Sequence, residues 1–216
     1  MIIAKDIHKH YDKIHVLRGV EIEISKGEVV AIVGKSGTGK TTLLHILGTL
    51  DKADQGILNY DEIDVNMLSD KSLSAFRNQH IGFIFQFHHL LDEFTALENV
   101  CIPAFIGKKD RSTVEERATE LLSYLGLAQR LDHKPNQMSG GEQQRVAIAR
   151  SLINEPDVVL ADEPTGNLDT QSSEDIHKLI FDLRRDFNQT FVIVTHNEDL
   201  AARCDRILQM ADGIIV

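Results

Sequence analysis

The stretch Gly34-Lys-Ser-Gly-Thr-Gly-Lys-Thr-Thr42 constrains this chain more than any other. It fits G-x-x-x-x-G-K-[ST] at Gly34, Gly39, Lys40 and Thr41, and it follows the apolar run Val29-Val-Ala-Ile-Val33. A short apolar run of that kind predicts a strand buried on both faces. Leu43, Leu44, Ile46 and Leu47 then keep helical spacing. The chain must therefore fold so that a glycine-rich loop joins a buried strand to a helix N-terminus.

Such a loop is chemically suited to a triphosphate. Glycines at 34, 37 and 39 let successive N–H groups turn inward with no Cβ in the way, and the helix adds its positive end. Gly34, Lys35, Ser36, Gly37, Thr38, Gly39, Lys40, Thr41 and Thr42 are thus the expected ATP-binding loop, with Lys40 on the β and γ phosphates and the Thr41 hydroxyl on Mg2+. A dinucleotide fingerprint fits less well, because a third glycine would be needed where Thr42 stands.

At 216 residues and 42% apolar composition the chain is long enough for one sizeable core carrying an inserted subdomain. Its 23 basic and 33 acidic residues leave a formal charge of -10, which argues against nucleic acid as a partner. Cys101 and Cys204 lack metal-ligand spacing and read as buried free thiols of a reduced protein. Nothing at the N-terminus has the pattern of a signal peptide, and no apolar run approaches the roughly 20 residues of a membrane span. Any service to a membrane is expected to come through docking.

Residues 2 to 24 alternate as edge strands, with Tyr11 in the connection between the early ones, where a surface or packing role suffices. After the loop helix come a strand at Ile57–Tyr60, a helix around Ser72–Asn78 and a buried strand at Ile81–Phe85. Gln86 stands at the carboxyl end of that strand, where ligand contacts collect in α/β sheets. The adjacent His88 and His89 make a poor metal pair. From Thr95 the pattern turns helical, and both Thr95-Ala-Leu-Glu98 and Ser112-Thr-Val-Glu115 fit a capping box. The run Gly107–Arg111 is expected to be a solvated loop.

Ser139, Gly140 and Gly141 open a further helix. They form either a second anion-ready helix end, serving a nucleotide on another copy of the chain, or an ordinary N-cap. The buried strand Asp157–Ala161 ends in Asp162 and Glu163, two carboxylates too costly to stand there without a partner or a task. In enzymes with such a phosphate loop the first faces the metal and the second orients or deprotonates the attacking water, so Asp162 is assigned to Mg2+ and Glu163 to the base. His196 follows the last buried strand, Thr190–Thr195, either to bond a γ-phosphate or to cap and pack.

These segments, in this order, resemble the ATP-binding subunits of ABC transporters along the whole chain. The resemblance implies an α/β fold, a P-loop NTPase core with an antiparallel β edge subdomain and a helical subdomain inserted at about 87–155, all within one domain, 1–216. It also implies that Tyr11 stacks on adenine, that Gln86 is the Q-loop glutamine beside the metal, and that Ser139 to Glu142 is the signature. Asp169 then lies in the D-loop and His196 is the switch histidine. Met138 departs from the usual leucine, with similar volume. Leu160 to Asp169 and Ser139 to Arg150 narrow the resemblance to the group of lipoprotein-release, macrolide-export and cell-division ATPases. Residues 86–109 fit lipoprotein release best.

On that reading two copies face head to tail around ATP, with Ser139 and Gly141 of one against the γ-phosphate held by Lys40 and Thr41 of the other. The segment after Gln86 and the helical insert dock integral membrane permease subunits, with no direct contact to cargo. The subunit is then peripheral, on the cytoplasmic face of the bacterial inner membrane. The alternatives are a macrolide or peptide exporter, whose ATPase domain usually carries its membrane segment in the same chain, and an FtsE-like division ATPase.

Overall fold

The computed structural model describes residues 1–216. The chain begins with the long antiparallel strands β1 (Ile2–Tyr11) and β2 (Ile14–Ile24), then enters the buried strand β3 (Val29–Val33), the phosphate-loop segment and helix α1 (Lys40–Leu47). Strands β4 (Gln55–Tyr60) and β5 (Ile63–Asp64) precede α2 (Asp70–His80) and β6 (Ile81–Ile84). Three helices follow, α3 (Ala96–Ile106), α4 (Arg111–Tyr124) and α5 (Gly140–Leu152), before the chain returns to β7 (Val158–Asp162). It ends with α6 (Thr170–Phe187), β8 (Thr190–Val194), α7 (Glu198–Arg203), β9 (Arg206–Ala211) and β10 (Ile214–Ile215).

Two sheets result, one in the order β2-β1-β4-β5 and the other in the order β10-β9-β3-β8-β7-β6. In the larger sheet β9, β3, β8, β7 and β6 are mutually parallel and only β10 runs against its neighbour. Both faces of its centre are covered, so alternate residues enter different cores. Phe191 and Ile193 pack with α3, α5 and α6, whereas Val192 and Val194 pack with α1 and the antiparallel sheet. That double burial explains the unbroken apolar runs.

Several expectations need correction. The second capping box does not form: α4 starts two residues earlier, with Asp110 as its N-cap accepting from the Thr113 N–H, while Ser112 donates its hydroxyl to Asp110. Glu115 pairs instead with Arg111 at 2.7 Å, one turn back. Arg111 therefore belongs to the helix rather than to the solvated loop. Tyr11 is the last residue of β1, not part of a connection. Cys204 is only half-buried, although burial pushes both thiols up to about 11. Helix α7 has too few residues for periodicity to reveal it, but Asn197 caps it by accepting from the Leu200 N–H. No helix is long and apolar enough to cross a membrane.

Helix α1 approaches the sheet closely where it ends at Gly48. A Cβ there would run into the Phe83 ring and stand 2.9 Å from Leu160. Because Gly48 has a negative φ, only packing forbids a side chain. Gly48→Ala is expected to cost about 1–3 kcal/mol through overpacking, read as a lower urea midpoint with unchanged slope.

Candidate functional site

The parallel register of β3, β8 and β7 sets the site. Ile32 lies opposite Val194, and Val194 lies opposite Asp162, so the three strands end at one level. The segments leaving those ends enclose an open cavity of about 530 Å³. Gly34, Ser36, Gly37, Gly39 and Lys40 line one wall; Thr41 and Thr42 continue it from α1. Gln86, Asp162, Glu163 and His196 form the opposite side, so residues drawn from four separate stretches of sequence meet around one space.

The loop keeps its curve through its own bonds. Gly39 has φ 99°, a left-handed conformation that starts α1 and that a Cβ would oppose both sterically and conformationally. The Thr38 hydroxyl donates to the Lys35 carbonyl at 2.9 Å, which places Thr38 and Lys35 in the loop's frame rather than in the cavity wall. Lys40 Nζ donates to the carbonyls of Gly34 and Lys35 at 2.8 and 2.9 Å, folding the ammonium over the loop.

Across the cavity the Thr41 hydroxyl donates to Asp162 Oδ1 at 3.3 Å. Burial pushes the Asp162 carboxyl above its ordinary range, and that hydroxyl only partly offsets it. A half-buried carboxylate beside a hydroxyl is a fitting pair of oxygens for a hard divalent cation. Glu163 Oε2 contacts His196 Nδ1 at 2.9 Å, and the His196 N–H also points to it at 3.4 Å. Glu163 itself sits at φ 46°, a left-handed backbone that costs a residue with a side chain of this size.

Gln86 is fixed by a residue that the sequence did not single out. Its Nε2 donates to Asn167 Oδ1 at 3.2 Å, and Asn167 Nδ2 donates back to the Gln86 carbonyl at 3.1 Å. Arg150 was likewise missed. From α5 it donates to the carbonyls of His88 and His89 at 2.7 and 2.6 Å, anchoring the segment after Gln86. Neither partner could be found without the fold, because each acts across more than 60 residues. His89 lies edge-on to Phe85, a packing role.

Three more of the expected residues stand outside this cavity, away from the loop. Tyr11 is half-exposed at the tip of the β1–β2 hairpin, with its hydroxyl donated to Asp51 Oδ2 at 2.5 Å. That bond, followed by burial, raises the tyrosine's pKa. Ser139 and Gly141 lie at the N-terminus of α5. Ser139 is the N-cap of a full capping box with Glu142, and Arg130 holds the other Glu142 oxygen at 2.8 Å. The Arg130 bond, then the Ser139 N–H, keep the Glu142 carboxyl below its ordinary range. Ser139 thus caps its own helix, and Ser139 and Gly141 do not line the cavity of their own chain.

Comparison with known proteins agrees with this arrangement. A family model described as ABC transporter matches residues 17–166. The lipoprotein-releasing system ATP-binding protein LolD of Cytophaga hutchinsonii is 60% identical over 213 residues, spanning 99% of this chain and 97% of that protein. The protein of the same name from Bacteroides fragilis is 57% identical over 216 residues and both chains are covered in full. A solved dimeric structure of MJ0796, a bacterial ABC transporter cassette, is similar with a TM-score of 0.90 at 41% identity over 100% of this chain and 96% of that one. A dimeric post-hydrolysis state of MJ0796 bound to ADP and Pi matches equally well, with a TM-score of 0.90. With most of its length matched by the family model and its whole length by such relatives, the chain belongs to the ABC transporter ATP-binding family.

Proposed function

We propose that this chain is the ATP-hydrolysing subunit of a transporter that releases lipoproteins from the bacterial inner membrane. The observation that carries the hydrolytic part is the convergence of the phosphate loop, Asp162, Glu163 and His196 on one cavity. The lipoprotein part rests on relatives at 57–60% identity named for that system.

The chemistry is positioning and charge neutralisation rather than covalent catalysis. Loop N–H groups and Lys40 bind the triphosphate, for which Lys40 exchanges its two carbonyl partners for phosphate oxygens. Thr41, Asp162 and Gln86 are the residues that would hold Mg2+, which would supply further charge neutralisation when bound with the nucleotide. Glu163 accepts the proton of the attacking water. His196 occupies one Glu163 oxygen, which orients the carboxylate and leaves the other for that water.

A second copy completes the site. Ser139 and Gly141 sit outside their own cavity at a helix N-terminus whose N–H groups suit a γ-phosphate presented by a partner. Similar cassettes solved as dimers support a pairing of two copies, which this reading arranges head to tail. Tyr11 then offers its ring to adenine. Integral membrane permease subunits of the LolC/LolE kind dock on the cytoplasmic side, against the segment that Arg150 anchors, where Phe87 and Ile106 expose apolar surface. Cargo stays with those subunits.

Glu163→Gln preserves shape while removing the base, so it is expected to lower ATP turnover about 10²–10⁴-fold while ATP traps a dimer on gel filtration. Persistent turnover, or no nucleotide-dependent dimer with the membrane subunits supplied, would overturn the assignment. Lys40→Ala is expected to act earlier, abolishing ATP binding itself as read by titration with a fluorescent ATP analogue. For the transport reading, the purified subunit joined to its membrane partners should release lipoprotein from vesicles only with ATP; release independent of ATP would refute it.

A further inference from the structure

The left-handed backbone at Glu163 raises the question of what holds it, since such a conformation in a residue with a long side chain persists only where the surroundings over-determine it. The following turn is fastened at both ends. The Glu163 N–H donates to the Val194 carbonyl at 2.9 Å, and the Gly166 N–H donates back to the Glu163 carbonyl at 3.0 Å. Between those bonds two side chains buried from solvent reach in from different helices. Gln144 of α5 donates Nε2 to the Pro164 carbonyl at 2.6 Å, and His177 of α6 places Nε2 3.1 Å from the Thr165 hydroxyl.

Both side chains stand where the hydrophobic core would otherwise run, and both are 0% exposed. Each also leaves a polar atom without a protein partner, Oε1 of Gln144 and Nδ1 of His177. Burial lowers the His177 pKa, which favours the neutral ring at the hydroxyl. Unsatisfied buried polar atoms are destabilising, so an apolar residue of similar volume would serve the core better. What the polar groups contribute is direction: a bond to one backbone carbonyl and one hydroxyl, one and two residues after Glu163.

We propose that Gln144 is a positioning residue for Glu163, fixing the turn that aims its carboxylate, with the Thr165–His177 contact as a second fastening of the same turn. Gln144 lies on the helix that Ser139 caps. The same bond therefore ties the base of one ATP site to the helix end that, in the dimer, faces the other. The inference rests on the assignment of Glu163 as base, and it concerns the chain's own residues only.

The test uses the full chain with its membrane partners and compares Gln144→Met, Thr165→Val and Glu163→Gln with the unmodified protein. Methionine fills the same space with no donor, and valine matches threonine in shape while losing the hydroxyl. Misaiming the carboxylate is expected to lower kcat about 10–100-fold while the KM for ATP stays within about twofold. Thermal unfolding is measured alongside, and Thr165→Val carries the test if Gln144→Met does not fold. An unchanged kcat, or equal losses through KM, overturns the proposal. If Glu163→Gln is inactive while both other variants turn over normally, only the positioning role fails; if Glu163→Gln is itself active, the assignment of the base fails with it.

Discussion

The level at which three parallel strands stop is the constraint on which the rest of this molecule depends. Hydrogen bonding between β3, β8 and β7 is regular, so placing Ile32 beside Val194 and Val194 beside Asp162 leaves no freedom in where the following residues emerge. A slip of one residue in β7 would turn Asp162 towards a core and bring Ala161 to its level. Register is secured by two separate cores, one on each face, each accepting alternate side chains of the same strands. The cavity's chemistry is thus specified largely by apolar residues that lie behind it, with Val194 reaching both core and cavity.

Much of this was legible because the relevant signals are local. Gly34 to Thr42 announces its own geometry, and Asp162-Glu163 after a fully apolar strand can be explained only by a task or a partner. The antiparallel hairpin of β1 and β2 and the helical stretch after Thr95 likewise follow from period. What stayed hidden was non-local. Asn167 on Gln86, Arg150 on the His88 and His89 carbonyls and Asp51 on Tyr11 pair residues that lie in different elements, and nothing in either partner's neighbourhood names the other.

The error at the start of α4 has a different origin. Ser112-Thr-Val-Glu115 and the observed cap at Asp110 offer the same kind of side chain in competing positions, and both would satisfy an orphan N–H. Asp110 prevails by accepting from Thr113 N–H and from the hydroxyls of Ser112 and Thr113, while Arg111 gains an ion pair only if the helix includes it. A pattern rule that scores each cap alone cannot weigh such mutually supporting bonds. At Thr95 no rival cap is present, and there the box forms as its spacing demands.

Lys40 gives the loop an internal brace. Its ammonium donates to the carbonyls of Gly34 and Lys35, tying the first turn of the helix back to the start of the loop. Those two bonds brace the curve that suits phosphate, so the loop's shape is written into the chain's own polar groups. Phosphate oxygens at this site would compete for the ammonium with two carbonyls that are covalently tethered and never diffuse away. Affinity at this site is in consequence a difference between two sets of lysine bonds, which leaves room for a nucleotide to be held firmly before the reaction and let go after it.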